Sequence, residues 1–222
     1  MDNTKPQPVL GICKRWKVLI SPRVNVKGFT VIEIAIGLVI IAILFAAGMP
    51  SLTLWIQNTK IRAGAESILD GLQLAKGEAI SRNANVRFNL TSTNGKINWQ
   101  VGCVTPIADL NGDGVDDCPA IIRQYASTDT GANTPFAGVS TANPIPAYTT
   151  TLTPGSNLPA GITFNFLGQN PVANAGADIT RIDVSNPNAA QSRRMVIVIG
   201  AGGITFMCDP ALTKNVNAQG CS

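Results

Sequence analysis

The sequence predicts an α+β protein: one long N-terminal helix, then a mostly antiparallel sheet, then a cysteine-closed tail. Three observations predict it. An uncharged run from Ile34 to Thr59, mostly Ile, Leu, Val and Ala as far as Trp55, leads into an amphipathic stretch that ends near Ser81. Beyond it the pattern changes from helical spacing to short alternating runs, separated by turns rich in Gly, Asn, Asp and Pro. Finally Cys103, Cys118, Cys208 and Cys221 all fall in this second part.

The N-terminal run comes first. It is long enough to cross a bilayer as a helix. Lys5, Lys14, Arg15, Lys17, Arg23 and Lys27 precede it, against Asp2 alone. That excess predicts a cytoplasmic N-terminus and an external remainder after Lys60. Six of the 17 basic residues lie before Phe29, so the formal charge of +4 becomes −1 for the rest, with 11 basic and 12 acidic side chains. The basicity therefore argues topology, not affinity for nucleic acid. Pro50 removes a main-chain donor and predicts a bend over Ala46–Pro50. Glu33 is a carboxylate at the start of the span, a costly place that calls for a partner. A secretory signal peptide cut near Ala46-Ala47-Gly48, or a plain single-span anchor, leaves that carboxylate unexplained.

The second half of the helix follows. Ile61, Ala65, Ile68, Leu72, Ala75 and Ala79 recur at spacings that form one apolar stripe. The stripe predicts cover for a sheet rather than a free coiled coil. Gly64, Gly71 and Gly77 lower helix propensity there, for close packing or for flexibility.

Strands are predicted at Val86–Leu90, Ile97–Cys103, Ile121–Tyr125, Ile162–Leu167 and Ile179–Val184. Arg194–Ile199 and Gly203–Cys208 flank Gly200-Ala201-Gly202-Gly203 as a hairpin. The segment 126–161, rich in Thr, Pro, Asn, Gly and Ala, reads as a long surface loop, with room for a short strand at Tyr148–Leu152. The four external cysteines allow three disulfide connectivities, of which Cys103–Cys118 with Cys208–Cys221 is the simplest. Zinc has little support without His or Cys-x-x-Cys.

Two further clusters invite a function. Asp109, Asn111, Asp113, the Val115 carbonyl and Asp117 fit a Ca²⁺ loop with Gly114 at its sharp turn, but Ala120 stands where the bidentate Glu belongs. The competing reading is an Asn-Gly/Asp-Gly turn. Arg193 and Arg194, with Arg181, Arg123, Arg82 and Arg87, would suit DNA if they formed one patch. Solvated strand-edge charges explain them as well. No histidine and no nucleophile elbow is present, so no enzyme activity is expected and no cofactor beyond that possible Ca²⁺.

Gly28 followed by Phe29, with Glu33 five residues after the glycine and Pro50 further on, resembles the class III signal of type IV prepilins and pseudopilins. The resemblance implies cleavage after Gly28 and N-methylation of Phe29 by a prepilin peptidase/methyltransferase. It also implies pairing of Glu33 with the new Phe29 amine. Trp99–Val104, Asp109–Asp117, Ile121–Arg123, Met195–Ile199 and Ile204–Cys208 are similar in order to the GspH/FimT group of minor pseudopilins and minor pilins. Expected partners are thus other pilins or pseudopilins in a type II secretion pseudopilus or type IV pilus. The expected location is the bacterial inner membrane, single-pass, with a periplasmic C-terminal domain. Expected parts are a leader (1–28), a transmembrane half-helix (29–57), an amphipathic half-helix (58–83) and a β-rich domain (84–222). Some members bind DNA through Gly-Arg-x-Arg near the last strand. The matching Gly203-Ile204-Thr205-Phe206 lacks both arginines, which makes DNA the lesser expectation. An anchored periplasmic binding domain without a filament is weaker still.

Overall fold

The structure is a computed structural model that describes residues 28–110, 112, 114, 116–128, 134–188, 191–200 and 202–221. Residues 1–27 of the expected leader, with Cys13, lie outside the described residues. The chain divides into two compact units, Met1–Ala46 and Ala47–Ser222.

Helix α1 runs Val31–Ser81, with a break between Ala46 and Ser51, where Pro50 stands. In the first unit its apolar side chains point to every side without cover: Ile34, Ile36, Leu38, Ile40, Ile41, Ile43 and Phe45 are all exposed. No single helix among the described residues is long and apolar enough to cross a membrane. Val31–Ala46 and Ser51–Ser81 meet the length and composition requirement only as a pair across the break.

In the second unit the helix shows the predicted stripe. Ile61, Ala65, Ile68, Leu72, Ala75 and Ala79 are buried. They lie over a four-stranded antiparallel sheet of order β3-β2-β1-β5, built from β1 (Val86–Leu90), β2 (Asn98–Cys103), β3 (Arg123–Ala126) and β5 (Ala160–Phe164). Val86, Phe88 and Leu90 are buried in the core, while Arg87 and Asn89 alternate with them. Gly64 and Gly71 serve close packing. A Cβ at Gly71 would sit 2.7 Å from the Phe88 ring, and one at Gly64 would sit 2.5 Å from Ile97. A Cβ at Gly77 would meet nothing within 4 Å. Trp99 donates its indole N–H to Ser67 Oγ at 3.0 Å and stacks on Tyr125.

The rest of the chain forms a second antiparallel sheet instead of extending the first. Its order is β4-β6-β7-β8, from β4 (Phe136–Ser140), β6 (Arg181–Ser185), β7 (Met195–Ile199) and β8 (Thr205–Cys208). Both sheets and the helix share one core, and a smaller cluster of Val196, Val198, Cys208 and Cys221 packs with Ile145 and Tyr148. The predicted β7–β8 hairpin is present, with Gly202 and Gly203 at positive φ in its turn.

Three sequence expectations are corrected. Segment 126–161 is not all loop: β4 lies inside it and pairs with β6. Tyr148–Leu152 forms no strand; arginine side chains occupy its Tyr148 and Thr150 carbonyls. The strand expected from Ile121 starts at Arg123. Before it, residues 119–122 cross the end of β2 so closely that a Cβ on Gly102 would strike the Ala120 carbonyl.

Candidate functional site

The residues at the start of α1 explain its geometry. Thr30 stands as N-cap: its Oγ1 accepts from the Glu33 N–H at 3.3 Å, and Glu33 Oε2 accepts from the Thr30 N–H at 3.5 Å. This reciprocal pair is a capping box, which supplies partners for main-chain groups that the first turn leaves open. Sequence reasoning did not consider Glu33 as a cap, although Thr30-Val-Ile-Glu33 has the Thr-x-x-Glu spacing that marks one. Phe29 is exposed, as is Val31. A Cβ on Gly28 would meet nothing within 4 Å, so no packing among the described residues calls for glycine there.

Two local disulfides form, Cys103–Cys118 and Cys208–Cys221. The first closes the loop that carries the Asp cluster. Asp109 Oδ1 accepts from the Gly112 N–H at 2.6 Å and Oδ2 from the Gly114 N–H at 2.7 Å. Asp117 Oδ2 accepts from the Leu110 N–H at 3.0 Å. Both carboxylates thus brace the loop's own main chain. Asn111, Asp113 and Val115 lie outside the described residues. Among the described residues, no group of three His, Cys, Asp or Glu is placed to hold a metal ion.

Residues 64–203, more than half of the chain, match the family model for the type II transport protein GspH. The chain belongs to the GspH family. A solved structure of the type IV minor pilin FimU from Pseudomonas aeruginosa is 15% identical, covers 69% of this chain and 91% of its own, and aligns with a TM-score of 0.43. Comparison with curated proteins finds no match.

Within this GspH-family domain Arg82, Arg87, Arg181, Arg193 and Arg194 each pair with a carboxylate. Arg193 pairs with Asp209 at 3.1 Å, and its N–H donates to Asn58 Oδ1. Arg194 pairs with Asp183 and also donates to the Tyr148 carbonyl at 2.6 Å. Arg87 pairs with buried Asp178 at 2.7 Å, and Arg82 pairs with Glu78 at 2.6 Å. Arg181, expected as a solvated charge, is 0% exposed. It forms a bidentate pair with Asp183 at 2.8 and 2.9 Å and donates to the carbonyls of Pro146, Ala147 and Thr150. Asp183 Oδ2 also accepts from the Leu152 N–H at 3.0 Å. Arg181, Asp183 and Arg194 therefore clamp segment 146–152 over the second sheet. Sequence reasoning missed this clamp. Its one sequence signal is the Arg181-Ile-Asp183 alternation, which places two opposite charges on one strand face.

Proposed function

We propose that this GspH-family chain is made as a prepilin, cleaved after Gly28, N-methylated at Phe29 and used as a minor subunit of a type II secretion pseudopilus or type IV pilus. The observation that carries the reading is the run Lys27-Gly28-Phe29 to Glu33, set at the start of a helix whose apolar side chains are exposed on every side. Such a surface needs lipid or other helices around it. The flanking basic residues support a cytoplasmic N-terminus and a periplasmic domain.

Glu33 has two successive tasks in this reading. In the precursor its carboxylate caps Thr30. Cleavage then creates an ammonium on Phe29, a stronger donor than an amide N–H. In its own subunit or a neighbour's, that charge offsets part of the cost of holding Glu33 in the bilayer and sets the register of packed helices. Assembly, rather than DNA capture, also suits Arg193 and Arg194, which pair with Asp209 and Asp183.

The test compares the chain from cells with and without prepilin peptidase. The expected result is a peptidase-dependent loss of residues 1–28 and one added methyl group on Phe29. An identical mass in both strains overturns the reading. Glu33→Ala is expected to leave cleavage intact and abolish recovery in sheared filaments.

A further inference from the structure

Two four-stranded sheets have four edge strands, and the chain treats them differently. On β4, the Ala137 carbonyl accepts from Gly155 N–H at 2.8 Å, the Val139 N–H donates to Ser156, and the Val139 carbonyl accepts from the Asn157 amide. On β5, the Gly161 carbonyl accepts from Ile179 N–H, and the Thr163 N–H donates to Asp178. The chain's own loops thus occupy both of those edges. Edge β3 has no main-chain partner beyond β2 among the described residues, but carries Arg123 and Gln124 on an exposed strand, the usual protection against unwanted pairing.

Edge β8 has neither device. Among the described residues, Thr205, Phe206 and Met207 have no main-chain partner beyond β7; the C-terminal tail is tied to the end of the strand by Cys208–Cys221 and its main-chain hydrogen bonds begin at Asp209. The stretch Gly203-Ile-Thr-Phe-Met-Cys208 holds no charge and no proline. Ile204 and Phe206, two residues apart, share a face and are 64% and 40% exposed. Phe206 lies opposite Val198, so it continues the small apolar cluster on which Ile145 and Tyr148 pack.

We propose that β8 is a docking edge that accepts a strand from another pilin-type subunit anchored in the same filament, extending the second sheet by β-addition. This rests on the assembly reading above. The occupant follows from size. Four residues of strand and two apolar side chains fall well short of the roughly 800 Å² per partner that a stable free complex buries. A soluble partner would not be held. A partner whose own helix is packed beside α1 is already at a high effective concentration, and a small contact then suffices. An uncharged edge selects an uncharged strand, with apolar side chains at alternate positions to meet Ile204 and Phe206.

The experiment uses the full chain in cells that assemble its filament, with a photo-crosslinking phenylalanine analogue in place of Ile204, and separately in place of Leu44. Adducts are identified by mass spectrometry. The expected product at 204 is a different pilin-type subunit, recognised by its own processed N-terminus. Phe206→Lys is expected to lower that adduct at least tenfold while both disulfides form and the Leu44 adducts persist. The reciprocal pair, Ile204→Lys with the analogue at Phe206, repeats the test should the first variant misfold. Pilin adducts from Leu44 with none from 204 overturn the docking edge alone. Absence of pilin adducts at both positions overturns the assembly reading itself. Adducts at 204 only with a second copy of this chain refute the stated occupant.

Discussion

The two halves of α1 share one backbone conformation and differ in how their side chains are used. Around Leu38 apolar residues recur on every side and all are exposed, whereas around Leu72 they keep to one stripe and are buried. The glycines differ in the same way. Gly37 has nothing within 4 Å of a Cβ, while Gly71 has the Phe88 and Trp99 rings. The lesson is that hydrophobicity alone does not locate a core. An all-round apolar helix needs a surrounding medium, and a striped one needs a facing sheet.

Paired substitutions test that contrast, followed with the chain in detergent. Leu72→Asp is expected to cost more than about 4 kcal/mol and unfold the domain, because it buries an unpaired carboxylate. Leu38→Asp should leave the urea midpoint unchanged and instead impair membrane insertion by about 3 kcal/mol. Equal shifts of the urea midpoint would break the comparison. Replacing Cys103 and Cys118 together by Ser should cost about 3 kcal/mol of domain stability, read from the same urea curves, without altering helicity before Ala46. The glycines sharpen the contrast through its sign. Gly71→Ala is expected to destabilise by about 1–2 kcal/mol through contact with the Phe88 ring. Gly37→Ala should lower no midpoint, since alanine is the better helix former by up to about 1 kcal/mol. Thr30→Ala is expected to lose about 1 kcal/mol, confined to the helix start. Amide exchange at Val31–Ile34 in micelles would detect it, and an unchanged rate would remove the cap from the account.

What the sequence made legible was whatever depends on local spacing. The stripe from Ile61 to Ala79, the β7–β8 hairpin and the short-range disulfides all followed from residues close together in the chain. The α+β class and the family followed from their order. What depended on distant segments was hidden. Strand β4 is built from Phe136-Ala-Gly-Val-Ser140, whose small residues give little alternating signal. Gly138 is needed because the Thr153 carbonyl would lie 2.4 Å from a Cβ there. The burial of Arg181 was equally hidden, because its cover comes from residues 146–150, some 30 positions earlier. At the proposed site the processing residues were visible in the motif, but the role of Glu33 as a cap was obscured by its more unusual feature, a charge before an apolar run.

The clamp on segment 146–152 separates two properties that are often treated as one. Arg181 and Arg194 hold the segment by its carbonyl oxygens, whereas the N–H groups of Ala147, Tyr148 and Thr149 find no acceptor among the described residues. Hydrogen exchange senses donors only. Those three amides should therefore exchange as quickly as those of a loose loop, while the Tyr148 ring stays fixed beside Arg181. In this domain a fast-exchanging stretch marks a segment tied down from its acceptor side, and a proteolytic or mutational scan would identify it as structural where an exchange map would not.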